Sequence, residues 1–372
     1  MKVLHFFKTY WPDSFGGVER TIHSIAESTA RHGVETQVLS LSSTPDENSR
    51  RIDGHMALKA KLEFELASTG FSRDVFRKFD ALARQSDLVH YHFPWPVMDM
   101  AHFRSRHTRP SVVTYHSDIV RQRLLLWLYK PLMMRFLGDV DAIVATSPDY
   151  LRSSTVLRRF AAKSAVIPIG IDESAYPAPT QADVDWCRSI VSGPFVLFVG
   201  VLRYYKGLDV LIDAADRARC KIVIAGAGPI EQQLKLQAER LKRGNVVFTG
   251  EVSEQRKMAL LHACNGFVFP SNQRSEAYGV ALVEASMCGK PMISCDLGTG
   301  TSYVNQAGAT GMVVPPSDPA RLADAINRLV AAPAEAQAWG RAARERFCDL
   351  FTAEKMGKAY ADLYARLLNR GV

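Results

Sequence analysis

The stretch SEAYGVALVEASMCGKPMIS, residues 275–294, contains a polar loop, an apolar helical segment and a short strand in close succession. The sequence Gly-Lys-Pro at 289–291 ends the helix, and the apolar residues after it predict a strand. Glu276 is expected just outside the helix N-terminus. Glu284 lies about two turns further along, on a face that can reach the same ligand. Such a unit of loop, helix and strand is typical of doubly wound parallel sheets.

The same alternation of apolar strands and amphipathic helices continues through all 372 residues, a length that favours two domains over one core. Six strands are predicted in each half, at residues 3–7, 34–40, 88–92, 111–115, 142–146 and 165–167, then 195–199, 221–225, 246–249, 266–269, 291–294 and 311–314. The pattern predicts an α/β protein with two doubly wound sheets that face each other across a cleft. Ligands bind such sheets at the carboxyl ends of the strands.

The composition is that of an ordinary globular protein, with 47% hydrophobic residues. The six cysteines form no CxxC pair and several lie in apolar segments. This favours buried thiols in a reducing compartment over a disulfide framework or a zinc site. The first strand is too short and too soon interrupted for a signal peptide, and the apolar runs are shorter than a membrane span. We therefore expect a cytoplasmic protein.

The net charge of +8 is concentrated in one part of the chain. Residues 101–172 contain eleven Lys and Arg against five Asp and no Glu, a net charge of +6. A basic surface favours acidic partners, such as a nucleotide diphosphate, an anionic membrane surface or a phospholipid-like acceptor. Nucleic acid is not expected, because the chain has no helix-turn-helix, zinc-finger or RNA-binding aromatic motif.

Within this basic region, residues 121–137 combine apolar side chains such as Trp127 with Arg121 and Arg135. A helix of this composition can lie on a membrane surface. It can equally pack inside the N-terminal domain, with Pro131 breaking or kinking it. The sequence leaves both interpretations open.

Two further loops follow predicted strands and suit an anionic ligand. Gly16 and Gly17 come after the first strand at the start of a helix, where glycine lets the backbone approach an anion. Arg203 and Lys206 come after the first strand of the second half, just before a helix. Two cations in that position suit a diphosphate, because Arg binds phosphate oxygens bidentately and Lys acts as a point charge.

The run that follows Glu276 adds a third anion-binding feature. The backbone N–H groups of Gly279, Val280 and Ala281 are expected to be free at the helix N-terminus. Two carboxylates that flank free amides suit a ligand with both hydroxyl groups and phosphate, such as a nucleotide-sugar.

The run from Glu276 to Pro291 resembles the E-x7-E motif of retaining glycosyltransferases of family 4, which have the GT-B fold of two Rossmann-like domains. The resemblance covers nearly the whole chain. IPIGID at 167–172 is similar to the run that ends the first domain in this family, with Ile169 where Asn is common. The resemblance to the family implies an acceptor-binding domain at residues 1–175 and a nucleotide-sugar-binding domain at 176–350. A C-terminal helix at 351–372 would cross back to the first domain.

The resemblance also implies roles for individual residues. Glu276 would contact the donor sugar as a catalytic residue, and Glu284 the ribose hydroxyls. Arg203 and Lys206 would hold the pyrophosphate, although many relatives carry Arg where this chain has Val201. The implied donor-binding residues are Gly16, Gly17, Arg203, Lys206, Val252, Gly279, Val280, Ala281 and Glu284.

His116 follows the predicted strand 111–115, and the resemblance gives a histidine at this place a catalytic role beside the sugar. His90 and His92 end the preceding strand, but a metal site there needs a third ligand, and the sequence shows none. The two Asp-x-Asp sequences at 139–141 and 183–185 look incidental. We expect no metal and no cofactor, because Arg203 and Lys206 can neutralise the leaving diphosphate.

The opening segment, residues 4–19, is similar to mannosyl- and rhamnosyltransferases of bacterial O-antigen assembly. This implies transfer of mannose or rhamnose from a GDP-sugar to a polyprenyl-diphosphate-linked glycan, in the cytoplasm or on the inner face of the cytoplasmic membrane. Use of a UDP-sugar stays open because base selection rests largely on backbone contacts. A rival enzyme is a nucleotide-sugar epimerase of the same fold. The alternative outside enzymes is a carbohydrate- or membrane-binding subunit.

Overall fold

The computed structural model of the protein describes residues 1–66, 69–105, 107–119, 123–241 and 244–369, without the side chains of Arg123 and Leu124. The chain divides into two compact units, Met1–Gly170 with Ala353–Val372, and Ile171–Thr352. The divisions come after residues 170 and 352, where the sequence placed them after residues 175 and 350.

The first unit is built around an eight-stranded sheet. Its elements are β1 (Lys2–Phe6), α1 (Gly17–Ala30), β2 (Glu35–Ser42), α2 (Pro45–Asn48), β3 (Arg50–Ile52), β4 (His55–Lys61), β5 (Phe64–Leu66), β6 (Thr69–Phe71), α3 (Asp74–Gln85), β7 (Leu88–Phe93), α4 (Pro96–Ser105), β8 (Ser111–Tyr115), α5 (Arg123–Asp139), β9 (Ala142–Ala145), α6 (Pro148–Ser153), α7 (Thr155–Arg159) and β10 (Ser164–Val166). The strand order is β10-β9-β8-β7-β1-β2-β4-β3. Neighbours pair in parallel except β3 with β4, and β5 and β6 form a separate antiparallel pair.

The second unit is built around a six-stranded, wholly parallel sheet. Its elements are α8 (Gln181–Ile190), β11 (Phe195–Val199), α9 (Leu208–Ala215), β12 (Lys221–Ala225), α10 (Glu231–Glu239), β13 (Val246–Gly250), α11 (Glu254–Ala263), β14 (Gly266–Phe269), α12 (Val280–Met287), β15 (Met292–Cys295), α13 (Gly300–Val304), β16 (Gly311–Val314), α14 (Pro319–Ala331) and α15 (Pro333–Leu350). The strand order is β13-β12-β11-β14-β15-β16. The central strands β12, β11, β14 and β15 are mostly apolar and almost wholly buried, as is typical of parallel sheets with helices on both faces.

The final helix, α16 (Ala353–Asn369), belongs to the first unit and packs against α1. Met356, Tyr360 and Tyr364 join Val3 in one buried core cluster. A Cβ at Gly357 would lie 2.6 Å from the Cβ of Ser28, so this glycine allows the two helices to approach closely.

Among its parallel strands, each sheet reverses its strand order once, and this reversal locates the candidate site. In the first sheet the reversal falls between β1 and β7, and in the second between β11 and β14. Loops that leave the carboxyl ends of such adjacent strands diverge to opposite faces, which leaves a crevice where ligands bind. Among the described residues, no helix is both long and apolar enough to cross a membrane.

Candidate active site

In the second unit, the loops after β11 and β14 bring Lys206 and Glu276 together. Lys206 Nζ donates a hydrogen bond of 2.5 Å to Glu276 Oε2, and both side chains are largely buried. Ser271 Oγ donates to the same oxygen at 3.2 Å. Lys206 Nζ also lies 4.7 Å from the centre of the Phe269 ring, close enough for a cation–π contact. Two residues that the sequence assigned to the donor therefore form one charged pair.

The backbone around Glu276 is held by hydrogen bonds from a neighbouring loop. Thr299 Oγ1 donates to the Glu276 carbonyl at 2.9 Å, and Gly300 N–H donates to the Ala277 carbonyl at 2.8 Å. A Cβ at residue 300 would lie 2.5 Å from Cδ2 of Tyr278, so only glycine fits there without movement. The loop that carries Glu276 is thus fixed before any ligand binds, as catalysis by positioning requires.

The helix after this loop, α12, presents the free amides that the sequence predicted. Gly279 caps it with φ +90°, a conformation that favours glycine. Within the described residues, the N–H groups of Gly279, Val280 and Ala281 make no hydrogen bond. These three donors lie close in sequence to the Glu276 carboxylate and provide positive potential for an anion.

The other predicted cation, Arg203, is exposed on the same loop as Lys206. That loop is shaped by close backbone packing, since a Cβ at Gly226 would lie 2.1 Å from the Gly200 carbonyl oxygen. Leu202 N–H also donates to the Ala227 carbonyl at 3.0 Å. The glycine-rich run after β12 therefore supports the loop that carries the two cations.

The second glutamate of the motif has a different set of partners. Lys257 Nζ donates to Glu284 Oε1 at 2.8 Å, and the Tyr176 hydroxyl donates to the same oxygen at 3.0 Å. Lys257 also pairs with Glu254 at 2.6 Å. The Glu276 and Glu284 carboxylates share no partner among the described residues, so the structure places them in two neighbouring networks.

Sequence reasoning missed Lys257 and Tyr176. Lys257 begins the run KMALL on α11 and is buried, although lysine is rarely buried without a partner. A lysine at the edge of an apolar helical run was the only local signal. Val252, one of the predicted donor-binding residues, is half-buried between β13 and α11, five residues before Lys257.

In the first unit, Gly16 and Gly17 begin α1 as predicted, next to a buried carboxylate that sequence reasoning missed. Glu19 Oε1 accepts hydrogen bonds from Thr9 Oγ1 at 2.8 Å and Ser14 Oγ at 2.7 Å. A Cβ at residue 16 would lie 2.5 Å from Glu19 Oε2, whereas one at Gly17 would meet nothing within 4 Å. Gly16 therefore leaves room for the glutamate at the helix N-terminus.

His116 lies directly after β8 and belongs to a line of three imidazoles. His116 Nε2 lies 2.9 Å from His92 Nδ1, and His92 Nε2 lies 2.9 Å from His5 Nδ1. All three rings are buried. Burial lowers the pKa of His5 and of His116 to about 3 and lowers the pKa of His92 well below its ordinary value. The line is therefore uncharged at neutral pH.

His5 also supplies the third imidazole that the sequence did not show beside His90 and His92. Nitrogen atoms of these three rings lie within 4.8 Å of one another, so this group could hold a metal ion. The nitrogens of His90, however, bond to Thr114 and Tyr364 at 2.7 Å each. The His90 and His92 rings stack at 25°, so their in-plane lone pairs do not converge. A metal would have to replace this hydrogen-bond network.

The two Asp-x-Asp sequences have structural partners. Asp139 accepts a hydrogen bond from His102, and Asp141 accepts one from the Ser111 N–H. Asp183 forms a capping box with Thr180 at the start of α8, and Asp185 accepts a hydrogen bond from Gln181. Each pair is accounted for by local structure.

Comparison with known proteins identifies relatives along the whole chain. The family model "Glycosyltransferase Family 4" matches residues 15–175, and "Glycosyl transferases group 1" matches residues 189–346. The D-rhamnosyltransferase WbpZ of Pseudomonas aeruginosa is 49% identical over 353 residues, 95% of this chain and 93% of that protein. The O-antigen chain mannosyltransferase C of Escherichia coli is 42% identical over 368 residues, 99% of each.

A solved structure of sucrose-phosphate synthase from Thermosynechococcus elongatus matches with a TM-score of 0.80 and 22% identity, over 99% of each chain. At this level of identity the match shows the shared fold alone.

Proposed function

Because the chain belongs to glycosyltransferase family 4, we propose that it transfers mannose or rhamnose from a GDP-sugar to a growing, lipid-linked bacterial polysaccharide such as O-antigen. A glycosyltransferase takes a nucleotide-sugar donor and a glycan acceptor. The choice of sugar and polysaccharide is supported by the two relatives, a D-rhamnosyltransferase and an O-antigen mannosyltransferase, that match nearly the whole chain. The lipid on the acceptor is a polyprenyl diphosphate in this proposal.

The observation that carries the mechanism is the Lys206–Glu276 pair beside the free amides of α12. Lys206, Arg203 and the three N–H groups stabilise the negative charge that develops on the departing diphosphate. This set of donors acts without a metal ion. Glu276 orients the sugar, and the acceptor hydroxyl attacks from the face that the diphosphate leaves, so that the configuration is retained. Glu284 binds the ribose hydroxyls, and His116 contacts the sugar.

Helix α5 supports contact with an anionic membrane surface. Trp127 is 75% exposed and Leu128 is 68% exposed, an unusual degree for such large apolar side chains. Exposed Lys130 and Arg135 lie on the same helix. Apolar side chains among cations suit a helix that lies in the headgroup region. Arg121, the first residue of the predicted segment, falls outside the described residues.

The first test is the thermal stability of the protein with GDP, UDP, ADP or TDP, each with and without magnesium. A ligand at a hundred times its Kd stabilises the folded state by about 2.7 kcal/mol. We expect a shift with GDP alone, and the same shift without magnesium. A shift specific to UDP would redirect the donor and favour the epimerase alternative. No shift with any nucleotide would favour the binding subunit.

The second test is the variant Glu276→Ala in a transfer assay. Loss of the orienting carboxylate should lower transfer at least about a hundredfold while GDP affinity stays within about twofold. Glu231→Ala is the matched control, because Glu231 pairs with Lys235 at 2.7 Å on the surface of the same unit. If Glu276→Ala retains transfer, Glu276 has no part in the reaction.

A further inference from the structure

The proposed mechanism uses His116 but does not explain the two histidines behind it. His92 lies between His5 and His116, and each N–N contact is 2.9 Å. Phe or Leu could fill the same buried space without the cost of desolvating polar ring nitrogens. A line of three buried imidazoles therefore needs a reason beyond packing.

Neutral imidazoles restrict how protons can be arranged along the line. Each neutral ring has one N–H and one bare nitrogen, and each contact needs one donor and one acceptor. His92 uses both of its nitrogens, so only two arrangements satisfy both contacts. Either both N–H groups point towards His116, or both point towards His5.

The buried end of the line distinguishes these two arrangements. His5 Nε2 is buried and has no hydrogen-bond partner among the described residues. If the N–H groups point towards His5, this atom carries an orphaned N–H group. If they point towards His116, it carries a bare lone pair. Orphaned buried donors are rarer in proteins than under-satisfied acceptors, so the second arrangement is favoured.

We propose that His5 and His92 are positioning residues that hold His116 as the tautomer with its proton on Nδ1. His92 Nδ1–H donates to His116 Nε2, which leaves His116 Nδ1–H as the donor available to a ligand oxygen. That oxygen is a hydroxyl of the transferred sugar, a part of the inference that rests on the proposed function. The Nε2–H tautomer is the commoner form of a free neutral histidine, so the line would reverse the ordinary preference.

The tautomer can be measured without any substrate. In protein labelled with 15N-histidine, the ring-nitrogen chemical shifts separate N–H from bare nitrogen, and His116 is assigned by its loss in His116→Gln. We expect N–H at Nδ1 and a bare Nε2 for His116 at pH 7.5. A proton on Nε2 of His116 would overturn the proposal, whatever the enzyme transfers.

Two substitutions of His92 separate its two contacts. The amide of Asn reaches the place of the imidazole Nδ1, so His92→Asn can still donate to His116. The amide of Gln reaches the place of Nε2, so His92→Gln keeps the contact with His5 and loses the one with His116. We expect His92→Gln to lower kcat by about tenfold, the worth of one hydrogen bond. GDP affinity should stay unchanged, and His92→Asn should retain most of the rate.

His90→Gln is the matched control, because His90 is equally buried two residues away and bonds to Thr114 and Tyr364 instead of His116. It should leave both the His116 ring shifts and kcat near those of the wild type. Equal losses of kcat in His92→Gln and His90→Gln would show that the three histidines have only a structural role, and would overturn the proposal. If the wild type transfers no sugar, the proposed function fails, and the ring shifts still decide the tautomer.

Discussion

The two units place different kinds of polar group near the points where their sheets reverse. Nine of the ten histidines of the chain lie in the first unit, and His262 is the one in the second. The first unit has neutral imidazoles in a hydrogen-bonded line, whereas the second has the buried pairs Lys206–Glu276 and Lys257–Glu284. Neutral donors and acceptors suit uncharged hydroxyl groups, and charged pairs suit phosphate. Each unit therefore presents its own kind of polar chemistry near the reversal of its sheet.

Because of this difference, we expect the stabilities of the two units to respond differently to acid and to the removal of a charged side chain. A buried neutral histidine resists protonation in the folded state but can bind a proton in the unfolded chain. The stability of the first unit should therefore depend on pH. Removing one partner of a buried ion pair lowers the stability of the folded unit strongly, because the other charge is left uncompensated.

The largest effect is expected from acid. Burial lowers the pKa of His5, His90, His92 and His116, so the unfolded chain binds protons below pH 6.5 that the folded unit does not. Stability is therefore full above pH 6.5 and is lost as the pH falls towards the folded pKa values. Each group contributes about 1.4 kcal/mol per pH unit in this window, which amounts to several kcal/mol by pH 5. Hydrogen exchange read separately for each unit should show the first unit opening before the second.

The variant His5→Phe sharpens this test, since it removes one titrating group. Its stability should fall less steeply between pH 6.5 and 5, by about 1.4 kcal/mol per pH unit. An unchanged slope, or a second unit that opens first, would contradict the assignment of acid sensitivity to the buried histidines.

The next effect is on the charged second unit. Lys257→Met leaves the buried Glu284 carboxylate with Tyr176 but without its cation, which should destabilise this unit by about 3–5 kcal/mol. Chemical denaturation monitored by hydrogen exchange would measure the loss. The double variant Lys257→Met/Glu284→Gln removes the orphaned charge and should recover most of the stability. If the double variant is no more stable than Lys257→Met, then Lys257 and Glu284 do not stabilise this unit as an ion pair.

The sequence predicted twelve of the fourteen strands of these sheets, most of which contain the runs of apolar residues expected for parallel strands covered by helices. It missed β3 to β6, between residues 50 and 71, where side chains are largely polar or half-exposed and no continuous run exists. The first sheet consequently has an antiparallel edge strand that the sequence did not predict. The family and the GT-B fold predicted from the sequence are confirmed.

For the site, the sequence could place Lys206 and Glu276 at strand ends, because their loops follow recognisable strands. It could not predict that their side chains meet, since 70 residues separate them and the contact depends on which strands are neighbours. For the same reason, the sequence did not predict that Lys257 lies beside Glu284. Nor did it predict that His5 lies beside His92, from which 87 residues separate it in the chain. The roles of the individual site residues stay predictions.

A smaller effect is expected at the loop that carries Lys206. Gly207 has φ +64°, and a Cβ there would lie 2.1 Å from the Pro270 carbonyl oxygen. Gly207→Ala should therefore cost about 1–3 kcal/mol and displace Lys206, so that GDP binds more weakly. Gly193→Ala is the control, because Gly193 has φ +78° but open space around it. It should cost about 1 kcal/mol and leave GDP affinity unchanged. If calorimetry gives the same GDP affinity for Gly207→Ala and for the wild type, the loop does not position Lys206.

The smallest effect concerns Asp99, a buried acid in the first unit that accepts a hydrogen bond from the Tyr129 hydroxyl. Burial raises the pKa of Asp99 well above its ordinary value, so the folded unit keeps a proton that the unfolded chain loses. The stability from this group is present at low pH and is lost as the pH rises, opposite to the histidines. Asp99→Asn should therefore stabilise the first unit by about 1 kcal/mol at pH 7.5, with a smaller gain at pH 5. A destabilised variant at pH 7.5 would mean that Asp99 is ionised there.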